Sequence, residues 1–357
     1  MKKLCLLITL LISAQTLTAC AAKSEEPVKE ETPKDITATA APTKAPSEEA
    51  IPSPTAEPIV KKDIKVAALK GPTAIGMVKV MEDTTTGVAA NNYNFTVAGT
   101  ADEISVGLVK GDFDIAAVPC NLAAVLYNKT EGKIKLAGIN TLGVLYIVET
   151  GDSIKKVEDL KGKTIYSTGL GTTPQYTLNY LLAAYGIDPE KDVTIEYKTE
   201  ATEVAAMLSE ADDAIAMLPQ PYVTTVMMNN DKVKVALDVA KEWEAISADG
   251  SSVVTGVVVA RSEFIENNKE AFDAFLTEYA ASAEYVNTNM EEASALVEKF
   301  DIFKAAVIKK ALPYCNITLL RGEDMKSKVN GYLTVLYKQN PQAVGGTLPT
   351  DDFYYMP

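Results

Sequence analysis

Ile115-Ala-Ala-Val-Pro119 recurs 100 positions later as Ile215-Ala-Met-Leu-Pro219. Each is a short apolar run closed by a proline, which cannot donate to a sheet ladder and so ends a strand. A helix follows each run. The first starts at Leu122 with Asn121 as its N-cap, and the second runs from Tyr222 to Met228 after a Pro219-Gln-Pro221 turn. The register holds at other places without a gap. Gly71 and Thr73 lie opposite Gly171 and Thr173, and Glu103-Ile-Ser-Val-Gly-Leu lies opposite Glu203-Val-Ala-Ala-Met-Leu. Two similar passes of alternating strand and helix predict two α/β lobes. Two copies of so long a unit do not make a solenoid.

The rest of the chain completes this plan. Ile64 to Leu69 reads as a strand, Gly71-Pro72-Thr73 as a turn, and Ala74 to Glu82 as a helix with Ile75, Val78 and Met81 on one face. Thr100-Ala-Asp opens a helix that Gly111 closes, and Thr173 caps one that has Pro174 at its first position. Val253 to Ala260 is an apolar, β-branched strand, and the long helical segments after it return to complete the first lobe.

The N-terminus stands apart from the fold. Met1-Lys-Lys3 is a basic start, Leu4 to Leu11 is an apolar core too short to span a membrane, and Leu17-Thr-Ala-Cys20 resembles a bacterial lipobox. Residues 1–19 are therefore read as a lipoprotein signal peptide and Cys20 as the lipidated residue. Residues 20–62 are rich in Pro, Thr, Glu and Lys and lack apolar periodicity, so they form a disordered tether. Some 40 such residues reach about 35 Å. No later stretch reaches membrane-spanning length.

Composition excludes several functions. The formal charge of −14 argues against nucleic acid as a partner. There is no histidine, which removes Ser–His and Cys–His nucleophile pairs and histidine metal ligands. Arg261 and Arg321 are the only arginines, so at most two places offer a bidentate clamp for an anion. Cys120 and Cys315 remain after the leader and the lipidated cysteine are set aside. Two buried thiols are the plainer reading of them, and a Cys120–Cys315 bridge is the alternative.

Ile64 to Thr73, the run Val157-Glu-Asp-Leu-Lys-Gly-Lys-Thr-Ile165 leading to Gly169-Leu-Gly-Thr-Thr173, and Gly256-Val-Val-Val-Ala-Arg261 followed by Phe264 carry a resemblance. Over about residues 63–340 the chain resembles the type II periplasmic binding proteins of ABC importers, in the nitrate/sulfonate/taurine, SsuA/THI5-like group. The resemblance implies two α/β lobes, each a mixed sheet flanked by helices, joined by two crossover strands near Val144–Thr150 and Gly250–Thr255. Residues 63–147 with 251–357 would form one lobe and 148–250 the other. It also implies an exported, lipid-anchored monomer that captures a small molecule and passes it to an ABC permease and its ATPase. The ligand would be a sulfonate, a nitrate-like anion, a carboxylate or a pyrimidine. No enzyme activity, cofactor or metal is expected. A sensing lipoprotein without a permease is the alternative. An enzyme on the same fold is less favoured, since the pyrimidine synthases of this group need an active-site histidine.

In such a fold the strand tips of both lobes face one cleft. The expected ligand contacts are Gly71, Pro72, Thr73, Thr100, Cys120 and Asn121 from the first lobe, and Gly169, Gly171, Thr172, Thr173 and Gln220 from the second. Thr141 and Gly143 beside the first crossover join them. Each corner joins helix N-terminal N–H groups to a hydroxyl or amide, which suits a small polar ligand. The competing role for Thr73, Asn121 and Thr173 is simple helix capping. Trp243 is expected to pack under the hinge, and Tyr354-Tyr355 to pack as a tail.

Overall fold

The computed structural model describes residues 61–247 and 250–357. The expected leader, Cys20 and the tether up to residue 60 lie outside the described residues. The chain opens with β1 (Asp63–Leu69), α1 (Pro72–Ile75), α2 (Val78–Thr85), β2 (Asn92–Ala98), α3 (Ala101–Lys110), β3 (Ile115–Pro119), α4 (Cys120–Lys129) and β4 (Ile134–Leu142). It continues with β5 (Leu145–Glu149), β6 (Thr164–Thr168), α5 (Thr173–Ala184), β7 (Thr194–Lys198), α6 (Ala201–Glu210), β8 (Ile215–Pro219), α7 (Tyr222–Asn229), β9 (Lys234–Asp238) and α8 (Val239–Ile246). It ends with β10 (Val254–Arg261), α9 (Ser262–Asn267), α10 (Lys269–Thr288), α11 (Met290–Lys299), α12 (Ala305–Ala311), β11 (Ile317–Leu320) and α13 (Gly322–Gln339).

Two mixed sheets result. The first runs β11-β4-β10-β3-β1-β2 and the second β7-β6-β8-β5-β9. In each, three parallel strands are followed by an antiparallel one, β10 beside β3 and β5 beside β8. The sequence offset reappears here. Helices α3 and α6, and strands β3 and β8, occupy residue ranges displaced by 100 positions.

Burial explains why the central strands read as continuous apolar runs. Ile64, Val66, Ala68, Ile115 and Ala117 pack on one face of the first sheet with Phe272, Phe275 and Tyr279 of α10. Ala67, Ala116 and Val118 pack on the other with Ile104 and Leu108 of α3 and Leu333 and Leu336 of α13. A sheet covered on both faces demands apolar side chains in both directions. The second sheet is built alike, with Ile147 and Ile165 on one side and Val148 and Ala216 on the other.

Several local expectations change. The predicted helix from Ala74 is two short helices, α1 and α2, interrupted at Gly76 and Met77. The segment from Glu263 breaks at Asn268 into α9 and α10. Asn121 does not cap α4. That helix starts at Cys120 after Pro119, with no side-chain cap, and Asn121 lies inside it. The residue before α5 is Thr172 rather than Thr173. The first crossover falls between Leu142 and Leu145, slightly before the expected place, because Leu145 already pairs with Pro219. Cys120 and Cys315 are free thiols on opposite faces of the first sheet, so no bridge joins them.

Trp243 is wholly buried and belongs to α8, yet it packs in the first lobe's core. Its ring lies 4.3 Å from Tyr180 of α5 and 5.3 Å from Tyr332 of α13 between centroids. Its indole N–H donates to Ser251 Oγ at 3.2 Å, beside the second crossover. One side chain thus ties both lobes to the hinge. Trp243→Ala should lower unfolding stability by about 3–5 kcal/mol in urea titration, because a large buried aromatic leaves a cavity. Val88→Ala, at a residue 73% exposed, should change it by less than about 0.5 kcal/mol.

Candidate functional site

The strand tips of both sheets meet around a cavity of about 470 Å³. Its wall is built from matched positions of the two lobes. Leu69, Lys70, Pro72, Thr73, Gly99, Thr100, Ala101 and Pro119 line it from the first, and the residues 100 positions later, Gly169, Leu170, Thr172, Thr173, Thr199, Glu200, Ala201 and Pro219, line it from the second. Each sheet stops its strands at the cavity and turns them into α1, α3, α5 and α6. These helix starts leave backbone N–H groups without intrahelical partners. No side chain caps α1, α3, α5 or α6.

Among the described residues, three buried hydroxyls in the wall have no hydrogen-bond partner, Thr141 Oγ1, Tyr197 Oη and Thr255 Oγ1. Thr141 is only 1% exposed. A buried hydroxyl without a partner costs free energy unless a guest satisfies it. Thr73 Oγ1 donates to Leu69 O at 2.7 Å and keeps lone pairs free to accept. Tyr222 forms part of the apolar wall with Val144, Leu145 and Leu170. Burial, and then the nearby Glu200 carboxylate, push its phenol up to about 12. Burial alone raises Tyr197 well above the ordinary phenol range. Both rings are neutral hydrogen-bonding groups at neutral pH.

Of the residues expected from sequence, Gly71, Pro72, Thr73, Thr100, Thr141, Gly169, Thr172 and Thr173 line the cavity. Cys120, Asn121, Gly143, Gly171 and Gln220 do not. Cys120 is sealed in the core, and burial raises its thiol. Gln220 is buried and accepts from the Thr224 N–H and hydroxyl at 3.2 and 2.8 Å, so it caps α7. Gly143 lies under α8, where a Cβ would meet Ala240 at 2.5 Å. Gly171 has φ +77° and donates to Gln175 Oε1 at 2.7 Å, shaping the turn from outside.

Asn121 stands behind the wall and joins the lobes. Its amide nitrogen donates to Gly171 O at 3.2 Å and Ala343 O at 3.1 Å, and its oxygen accepts from Thr173 Oγ1 at 3.3 Å. Sequence reading missed Tyr197, Tyr222, Thr255 and Glu200. The offset carried a usable signal for Glu200, the counterpart of Thr100. Tyr197 and Thr255 lay in segments read only as strands. Among the described residues, no group of three or more Cys, Asp or Glu side chains is placed to hold a metal ion.

Solved structures of other proteins share this architecture. An ABC transporter from Parabacteroides distasonis aligns with a TM-score of 0.68 at 26% identity, covering 82% of this chain and 98% of that one. The periplasmic aliphatic sulphonate binding protein SsuA from Escherichia coli aligns at 0.66 and 16% identity, covering 84% and 93%. The chain has the type II periplasmic binding protein fold. The periplasmic nitrate-binding protein NrtA from Synechocystis PCC 6803 shares this binding-protein fold at TM-score 0.60 and 12% identity, covering 78% and 82%. Residues 134–293 match the family described as NMT1/THI5 like. No curated protein matches the sequence. No helix among the described residues is long and apolar enough to cross a membrane.

The unsatisfied hydroxyls give a test that needs no ligand. Thr141→Val and Thr255→Val should leave the empty protein as stable as wild type, or more stable by about 1–3 kcal/mol, in thermal unfolding. Thr177→Val removes a hydroxyl bonded to Tyr332 Oη at 2.7 Å and should destabilise by about 1–3 kcal/mol, since the buried phenol is left without its partner.

Proposed function

We propose that this protein is the extracytoplasmic capture component of an ABC importer. It takes a small polar molecule into the cavity between its lobes and delivers it to a permease driven by an ATPase. It works as a monomer, held to the outer face of the membrane by lipid on Cys20. The observation that carries this reading is the two-sided cavity, lined by matched strand tips and by helix starts of both lobes that no side chain caps. The match to an NMT1/THI5-like family and the likeness to binding proteins of importers support it. The ligand classes in view are sulfonates, nitrate-like anions, carboxylates and pyrimidines. Gly71, Pro72, Thr73, Thr100, Thr141, Gly169, Thr172 and Thr173 form the contact set.

Native mass spectrometry of the mature protein, with a thermal-shift panel of these classes, tests capture. A ligand at 100 times its Kd should stabilise the protein by about 2.7 kcal/mol through mass action. A panel without any shift would count against the reading. Thr172→Ala combined with Thr173→Ala should weaken the identified ligand by about tenfold or more, measured by calorimetry, since each hydroxyl bond contributes about 0.5–1.5 kcal/mol. Cys20→Ser should move the protein from the membrane fraction to the medium, checked by fractionation and intact mass.

A further inference from the structure

The lobes touch on both sides of the crossovers, and the two sides are built from opposite chemistry. On one side α4 and α13 of the first lobe meet α5 and α8 of the second. Asn121, wholly buried, commits its amide nitrogen to Gly171 O and Ala343 O and its oxygen to Thr173 Oγ1. Thr177 Oγ1 and Tyr332 Oη bond at 2.7 Å, and both residues are fully buried. Trp243 leaves α8 to fill the first lobe's core. Parting this side would strand buried donors and acceptors and leave a hole where an indole had been, and both changes are costly.

On the other side the first lobe reaches across with the segment between α11 and α12. Phe303 of that segment packs against the first lobe's core and also against the face of the second sheet that holds Tyr146, Val223 and Val226. Its ring centroid lies 5.0 Å from that of Tyr222 of α7, at an interplanar angle of 76°, and α12 lies against α7. Tyr146 Oη donates to Tyr314 O at 3.5 Å, the long limit for a hydrogen bond. Phe303 is only half-buried, so parting this side exposes one ring and releases one long bond to water. The segment itself is seated firmly in the first lobe. Ile302 is 1% exposed and donates from its backbone N–H to Val297 O at 3.0 Å, and the Ala305 N–H donates to Glu298 Oε2 at 3.2 Å. Phe303 therefore travels with the first lobe when the two separate.

Phe303 does not line the cavity, yet it meets the wall from outside at one residue of each lobe. Lys70 Nζ lies 6.0 Å from its ring centroid, Tyr222 lies against its ring, and both of these residues line the cavity. We infer that the cavity opens on one side only, with Phe303 as the latch. The Asn121–Thr177–Trp243 side stays joined as the pivot, and the α12–α7 side parts to admit a guest between Lys70 and Tyr222. This rests on reading the cavity as a capture site, and it concerns the route in rather than what binds. Two independent observations carry it, the unequal cost of parting the two sides and the position of the Phe303 ring against both halves of the wall.

Pulsed electron-paramagnetic distance measurements on the full chain without ligand test this. Spin labels at Lys310→Cys and Met228→Cys span the α12–α7 side, and labels at Asn330→Cys and Glu244→Cys span the pivot side. All four positions are exposed, and the native Cys120 and Cys315 are buried. Cys5→Ser and Cys20→Ser keep the label on the introduced thiols. Phe303→Ala should raise the longer-distance population of the Lys310–Met228 pair about two- to tenfold, as expected for the loss of one aromatic pair. The Asn330–Glu244 distribution should stay as in wild type. Phe303→Leu keeps most of the apolar volume and should give a smaller rise in the same pair with an unchanged unfolding midpoint, and it decides the matter if the alanine variant loses its fold. No rise in the Lys310–Met228 pair, or any lengthening of the Asn330–Glu244 pair, would overturn the inference. Either result would leave the capture reading standing, since neither measurement uses a ligand.

Discussion

Strands β3 and β8 each sit between a parallel neighbour and an antiparallel one, and the antiparallel one comes from the other side of the molecule. β10 reaches β3 after the chain has built the second sheet, and β5 reaches β8 directly from β4. Each sheet is therefore completed by chain that has just left the other. Two consequences follow from this exchange. The lobes are joined by two short crossovers rather than one, and both crossovers pass beside the strand tips that line the cavity. Thr141 and Thr255 lie at those passages, so part of the cavity wall is built by the chain that forms the hinge.

The lobes are further coupled behind the wall. Asn121 holds Gly171 and Thr173, Thr177 bonds Tyr332, and Trp243 packs between Tyr180 and Tyr332. These contacts join α4 and α13 of the first lobe to α5 and α8 of the second. Thr172 and Thr173 in the wall are thus one residue or one hydrogen bond from the interlobe packing. The cavity wall and the interlobe packing therefore share side chains.

The charge pattern also depends on the repeat. The two halves place equivalent backbone at the cavity but different side chains, Thr100 in one and Glu200 in the other. Duplication supplies a symmetric frame of helix starts, and substitution within it supplies polarity. A formal charge of −14 spread over the whole sequence says nothing about this. What matters is which side chains stand at the helix starts that line the cavity.

The two-lobed plan was legible because burial on both faces forces apolar runs in β3 and β8, and prolines close both at a 100-residue spacing. Eight of the expected positions, Gly71 through Thr173, were legible as lining of the cavity for the same reason, since strand tips followed by helix starts face the cleft. Asn121, Gln220, Gly143 and Cys120 were not, because an amide, a glycine or a thiol one or two positions from a strand tip turns inward or outward according to neighbours far along the chain. Ala343 and Gly171 decide Asn121, and Ala240 decides Gly143. Local sequence determined where the chain turns and which segments are buried, through periodicity and proline chemistry. Tertiary packing alone decided which buried hydroxyls were left without partners, and that Glu200 stands against Gly99 of the other lobe. Those depend on distances between residues that no local pattern encodes.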